Sequence, residues 1–295
     1  MKVFITGATG FVGTAVVQEL IASGHQVIGL ARSESAANKL TAAGAAAHYG
    51  DLEDADSLRR GAAEADAVIH VGFIHDFSRF QEVCEVDRAA IETMGAALAG
   101  TNKPFIVTSG VAMVSPGKVG TEDIIPPFNP ALPRVSEIAA DKVADLGVRA
   151  SVIRLAPSVH GKGDVQGFVP LLMNIAREKG ASAYIGAGEN RWCAVNVKDA
   201  AVLYRLALEH ATPKQRIHAI DEYSIPFKAI AEAIAQQLNL PVIAVTAAAA
   251  EEHFGWFKGF AGNDMPASSE ITREKFNWKP DHSTLLEDIR AGVYS

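Results

Sequence analysis

Short apolar runs alternate along the chain with longer stretches in which apolar residues recur every three or four positions. Residues 3–5 read as a buried strand. Val12, Val16 and Leu20 then mark one face of a helix that Gly24 closes. The same alternation predicts strands over 26–30, 45–49, 66–71, 104–109 and 150–155. Helices fall between them over 35–40, 54–62, 89–98 and 135–146. Such regular alternation implies a parallel sheet with helices on both faces and right-handed crossovers. After Leu155 the texture changes, and glycine and proline become dense over 157–167 and 186–188. Helices are expected over 199–209 and 227–238, and strands over 216–220 and 241–245. The aromatics Trp256, Phe257, Phe276 and Trp278 are expected in a core. The fold class is therefore α/β. A doubly wound parallel sheet is expected over 1–155 and a smaller C-terminal part over 156–295, with a return to the sheet near 195–220.

Composition narrows the function. The chain has 295 residues, 48% hydrophobic and 21% charged, which suits a packed globular protein. A formal net charge of −7 argues against nonspecific nucleic-acid binding, though it leaves room for a local basic patch. No apolar stretch is long enough to span a bilayer, and the N-terminus runs straight into a strand without a signal-peptide pattern. Cys84 and Cys193 stand far apart with no Cys-x-x-Cys, so no metal site is expected. They read as reduced thiols of a cytoplasmic protein.

The first strand ends in Gly7, and Gly10 and Gly13 follow at the spacing Gly-x-x-Gly-x-x-Gly, with Thr9, Phe11 and Val12 between them. A strand, a glycine turn and a helix start make an anion site. Gly7 permits the turn, Gly10 lets a pyrophosphate approach the backbone, and Gly13 lets the helix pack on the strand. The helix start offers free N–H groups and a positive dipole end.

Beyond this turn the chain resembles the short-chain dehydrogenase/reductase superfamily, in its extended or atypical, epimerase/dehydratase-like form. The resemblance runs nearly end to end. It rests on Thr6-Gly-Ala-Thr-Gly-Phe-Val-Gly13, Gly50-Asp51-Leu52, Asp66-Ala-Val-Ile-His70 and Phe105-Ile-Val-Thr-Ser109. It continues in Arg154-Leu-Ala-Pro-Ser-Val-His-Gly161, Ala194-Val-Asn-Val-Lys-Asp199 and Asn277-Trp278-Lys-Pro280. It implies a Rossmann sheet and a nicotinamide cofactor. Asp51 and Leu52 then meet the adenine, although Asp51 also reads as a helix N-cap. Val71, Gly72 and Phe73 pass along the ribose, Thr108 joins the cofactor residues, and Pro157–Val159 meets the nicotinamide amide. At the end of the second strand Ala31 stands near the position where an NAD site has an acid. Arg32 and Ser33 can donate to a 2′-phosphate, which favours NADP over NAD.

The family's Tyr-x-x-x-Lys pair is missing. Aligning Lys142 with the family lysine puts Ile138 at the tyrosine; aligning Ser136-Glu137 with the usual Ser-Lys step puts Pro133 there. The third place after the fifth strand is Gly110 rather than a hydroxyl residue, with Ser109 one step away. Candidate replacement donors are His160, Tyr184 and Ser109, and also Arg134, which begins the helix, and His75, on the loop after the fourth strand; Trp192 is a pocket wall or core. Two functions follow. One is hydride transfer between a nicotinamide cofactor and a small carbonyl or alcohol; the other is an NADP-binding redox sensor without turnover. The alanines on the helix after the fourth strand suit either sheet packing or a homodimer, so monomer and homodimer both stand.

Overall fold

The computed structural model describes residues 1–129 and 133–294. The first half runs β1 (Lys2–Thr6), α1 (Phe11–Ala22), β2 (Gln26–Ala31), α2 (Glu34–Ala42), β3 (Ala46–Tyr49) and α3 (Ala55–Ala63). It continues through β4 (Ala67–His70), α4 (Phe80–Ala97), β5 (Pro104–Gly110), α5 (Ser136–Asp145) and β6 (Arg149–Leu155). The second half has β7 (Ser158–His160), α6 (Phe168–Lys179), β8 (Ser182–Ile185), β9 (Arg191–Asn196), α7 (Val197–His210) and β10 (Arg216–Ala219). Then come β11 (Glu222–Pro226), α8 (Phe227–Leu238), β12 (Val242–Val245), α9 (Ala250–Phe254), α10 (Lys258–Ala261), α11 (Glu270–Phe276) and α12 (Leu285–Arg290).

Seven strands form one sheet in the order β10-β6-β5-β4-β1-β2-β3, all parallel. The order reverses at β1, so the crevice at the carboxyl ends of β1 and β4 is a ligand position by topology. Val3, Phe4 and Ile5 are wholly buried because helices cover both faces of β1. Alternation divides them. Val3 and Ile5 join the core under α1 and α7, and Phe4 joins the core under α3, α4 and α5. The strand expected near 216–220 forms as β10 and extends the sheet beside β6. β3, whose pattern is weakest, is one of the two edge strands, with β10 at the other side.

A third core lies under α6, α8 and α12, around Trp192, Phe227 and Phe257. Two smaller sheets accompany it, β11-β9-β7 and β12-β8. β7, β8, β9, β11 and α6 were not legible in the pattern. These strands have three to six residues. Pro170 also interrupts the α6 pattern, although a proline in a first turn removes no helical hydrogen bond. Phe257, Phe276 and Trp278 are core residues, but Trp256 is 59% exposed. The tight turn Gly255–Phe257 sends Phe257 inward and so leaves its neighbour outside. Among the described residues no helix is long and apolar enough to cross a membrane.

Candidate cofactor and active site

The glycine turn is built as its spacing implies. Gly7 has φ +69°, and a Cβ there would lie 2.6 Å from the Gly72 amide nitrogen. A Cβ on Gly13 would lie 2.0 Å from the Gly7 carbonyl oxygen. Both glycines are therefore demanded by the fold itself. Gly10 differs: only the Gly7 oxygen, at 3.3 Å, falls within reach of its missing side chain, and the rest is open space. Gly10 also starts α1 with no side-chain cap and no acidic residue in the first turn. Helix geometry leaves the first-turn N–H groups, those of Phe11, Val12 and Gly13, without intrahelical acceptors. Thr9, Phe11 and Val12 are half-buried around this start.

Arg32 and Ser33 follow β2 on the surface. Ser33 Oγ accepts from the Ala36 amide at 3.2 Å and caps α2. Arg32 makes no hydrogen bond or ion pair among the described residues, so its guanidinium is an uncommitted cation. Asp51 Oδ1 accepts from the amides of Glu53 (2.8 Å) and Asp54 (3.0 Å), while the cap of α3 is Asp54. Asp51 thus shapes a turn rather than capping the helix, and its second oxygen meets no partner among the described residues. Leu52 packs on the second core, and its Cδ2 would lie 3.3 Å from a Cβ on Gly72. Gly7, Gly72 and Leu52 therefore converge at the ends of β1 and β4. Val71 and Phe73 flank Gly72, both half-buried.

A buried polar chain runs from this point to the start of α5. The Gly72 amide donates to Thr6 Oγ1 (3.2 Å), which lies 2.7 Å from His70 Nδ1. His70 Nε2 is 3.1 Å from Asp87 Oδ1. Ser136 Oγ donates to Asp87 Oδ2 (2.6 Å), and Arg134 Nε donates to Ser136 Oγ (3.1 Å). Every member can be satisfied: His70 Nε2–H donates to the Asp87 carboxylate, and Nδ1 pairs with the Thr6 hydroxyl. Burial works against the Asp87 charge, yet hydrogen bonds from His70 and Ser136 and the charges nearby hold its carboxyl below the usual range. Arg134 Nη2 also donates to the Thr108 carbonyl (3.2 Å), and its guanidinium carbon lies 4.4 Å from the centre of the Phe73 ring. His75 packs on the same ring at 5.5 Å, and burial, then the Arg134 charge, pushes its pKa down.

Thr108 Oγ1 donates to the His70 carbonyl (2.7 Å) and lies 2.8 Å from the Tyr204 hydroxyl. With its one proton committed it ties β5 to β4 and α7, a structural task. Ser109 points the other way, on the side of Phe105 and Val107 that faces α4 and α5, where Arg134 enters. Lys142, the remaining lysine of the missing pair, is surface-exposed and lies 3.5 Å from Glu92 of α4. Ile138 is 43% exposed.

His160 and Tyr184 are not brought to this group. His160 is buried, with Nδ1 2.6 Å from Asp288 Oδ2 of α12 and Nε2 3.8 Å from Glu222 Oε2 of β11. Alternation along β7 separates it from Val159, which packs against the first core beside the half-buried Pro157. His160 thus faces away from Val159 although the two share a turn. Tyr184 lies in the two-stranded sheet, paired with Ala244 and under the Lys228 ammonium at 5.5 Å. Trp192 is wholly buried in the third core. Sequence reasoning missed Asp87, His70 and Ser136. The signal available was Asp87 itself, a lone carboxylate on the apolar stripe of α4 among Val83, Ala90 and Ile91.

Residues 3–220 match the model of the NAD dependent epimerase/dehydratase family. An uncharacterized protein of Schizosaccharomyces pombe is 48% identical over 295 residues, covering all of both chains. The decarboxylating sterol-4-alpha-carboxylate 3-dehydrogenase of Dictyostelium discoideum is 28% identical over 247 residues, 77% of this chain and 73% of that protein. The fold is that of a dTDP-glucose 4,6-dehydratase from Streptomyces venezuelae crystallised with NAD. The TM-score is 0.77 at 18% identity, covering 99% of this chain and 96% of the other. With a match that runs from β1 to the end of β10, the chain belongs to the NAD dependent epimerase/dehydratase family of the extended short-chain dehydrogenase/reductase superfamily.

Proposed function

We propose that the protein is an NADP-dependent oxidoreductase acting on a small carbonyl or alcohol. The observation that carries this reading is the anion cradle at α1: an uncapped helix start without acidic residues, beside a Gly10 whose missing side chain opens on empty space. Gly7, Thr9, Gly10, Phe11, Val12 and Gly13 hold the pyrophosphate in this reading. Asp51 and Leu52 take the adenine, Val71, Gly72 and Phe73 the ribose, and Pro157 and Val159 the nicotinamide amide. Arg32 supports NADP over NAD, because an uncommitted guanidinium follows a strand whose last residue is Ala31. The cofactor, when bound, supplies or accepts a hydride. The protein orients the two reactants and excludes water. Residues 156–295, with their own apolar core, form the substrate side. Ser109 stays in the assignment because it shares the α5 side of β5. His160 and Tyr184 leave it, since each is engaged elsewhere. That a relative is a dehydrogenase by name supports carbonyl–alcohol chemistry.

The absent Tyr-x-x-x-Lys pair, with Lys142 drawn to Glu92, favours one second reading, NADP binding without turnover. Calorimetric titration of the full chain separates the cofactors. NADPH is expected to bind more tightly, and equal or tighter NADH binding overturns the NADP assignment. A panel of aldehydes and ketones then decides the activity. NADPH oxidation in proportion to protein concentration is expected; tight binding with no turnover across the panel makes the sensor the better reading.

A further inference from the structure

We propose that Arg134 takes the place of the family's missing phenol: its guanidinium holds the oxygen of the carbonyl substrate and stabilises negative charge developing there. The inference rests on the oxidoreductase reading above and deepens it.

Three observations carry it. The first is position. Arg134 bridges the carboxyl ends of two adjacent strands, donating to the Thr108 carbonyl of β5 while lying over Phe73, which follows β4. It precedes α5, the element on which the family places its tyrosine, and it shares a side of β5 with Ser109. The second is rigidity. A free arginine side chain has many rotamers, but this one is held at Nε by Ser136 and at Nη2 by a main-chain carbonyl, with an aromatic ring against it. Ser136 is itself fixed by Asp87, and Asp87 by His70. Both residues sit in the interior, with Asp87 at 2% exposure and His70 at 1%. Buried polar groups at such depth are costly unless each is satisfied, and here each is. The third is what remains. A guanidinium has five N–H donors. One at Nε and one at Nη2 are committed. The two on Nη1 and the second on Nη2 meet no acceptor among the described residues.

The chemistry follows from the residue type. Arginine keeps its proton at any working pH, so it replaces the phenol's electrostatic role and not its acidity. As a hydride from the reduced nicotinamide adds to the carbonyl carbon, the oxygen becomes an alkoxide. Aligned N–H donors stabilise it, and it takes its proton from water. A bound reduced nicotinamide would be the two-electron reductant, supplying the hydride. Ser109, on the same side of β5, is placed to hold that water or the oxygen.

The test separates this assignment from the activity on which it rests. Butyrate, a short carboxylate, stands in for the developing oxyanion and is titrated by calorimetry into the full chain saturated with NADP. Wild type is expected to bind it. Arg134→Gln should bind it about ten- to hundredfold more weakly, the effect of losing a charge-assisted hydrogen bond, with NADP affinity unchanged. Arg134→Lys keeps the charge without the fork and should fall between. Equal butyrate affinity in wild type and Arg134→Gln, or no butyrate binding by wild type, overturns the assignment. Turnover by wild type on the carbonyl panel is read separately. If it is absent while butyrate binding depends on Arg134, the oxidoreductase reading fails and the cation site stands.

Discussion

At the scale of single residues, the three glycines of one turn do two different jobs. Gly7 and Gly13 are imposed by the protein's own backbone, because a Cβ at either would strike Gly72 or Gly7. Gly10 is held less tightly, with one contact at 3.3 Å to the Gly7 oxygen and open space beyond, and in the proposed reading that space takes the pyrophosphate. Gly10→Val should therefore fold and lose NADPH binding, whereas Gly13→Val should unfold. Circular dichroism paired with calorimetry checks both, and unchanged NADPH affinity in Gly10→Val would refute the cradle. Arg32 and Ser33 divide in the same way. Arg32→Ala should weaken NADPH by roughly 1.5–3 kcal/mol and leave NADH nearly unchanged. Ser33→Ala should lose about 1 kcal/mol of stability, because its hydroxyl also caps α2. Equal weakening of both cofactors in Arg32→Ala would mean that the guanidinium does not read the 2′-phosphate.

At the scale of elements, the sheet was legible because its strands are buried on both faces and its helices carry one apolar stripe. β1 and α1 show both patterns without interruption. The short strands of the second half carry too few residues to show a period, and β7 has three. The glycine turn was legible because backbone geometry defines it, at Gly7 and Gly13. The candidate site was illegible where distant side chains define it. Nothing in the spacing of His70, Asp87, Arg134 and Ser136 announces that β4, α4 and α5 bring them into one chain of hydrogen bonds. His160 shows the reverse: it is near Pro157 and Val159 in sequence, but the alternation of β7 turns it to Asp288 and Glu222 instead. The α4–α5 contact that closes the chain is tight, since a Cβ on Gly95 would lie 2.2 Å from Val143 Cγ2. Gly95→Ala should force the helices apart and destabilise the protein by about 1–3 kcal/mol, the scale of core overpacking. Urea denaturation reads this; an unchanged midpoint would show that the helices part without loss.

At the scale of the whole molecule, buried carboxylates inside the second half tie β7 to α12 and shape the turn before α6, and they contribute to how stability responds to pH. Two carboxylates near His160 shift in opposite directions. Burial works against the Asp288 charge, but hydrogen bonds from His160 and Ser283 win, and its pKa is lowered. A lowered carboxyl pKa gives stability that is present above the unfolded value, near ~3.9, and is lost as pH falls through the folded value. Asp164 is 6% exposed, and burial outweighs the amides of Gly167 and Gln166 that donate to it, so its pKa is raised. Its contribution has the opposite sign: present below the unfolded value and lost as pH rises through the folded one. At pH 7 Asp288 is thus an asset and Asp164 a liability. Asp288→Asn should lower the melting temperature at pH 7 and flatten its fall in acid. Asp164→Asn keeps an oxygen for the Gly167 amide and sheds the buried charge, so it should raise the melting temperature at pH 7 and leave it nearly unchanged at low pH. Thermal melts of both variants across pH 3 to 8 would read the two signs in one protein. A loss of stability at pH 7 in Asp164→Asn would show that the turn before α6 needs the full carboxylate, and that its hydrogen bonds outweigh its burial.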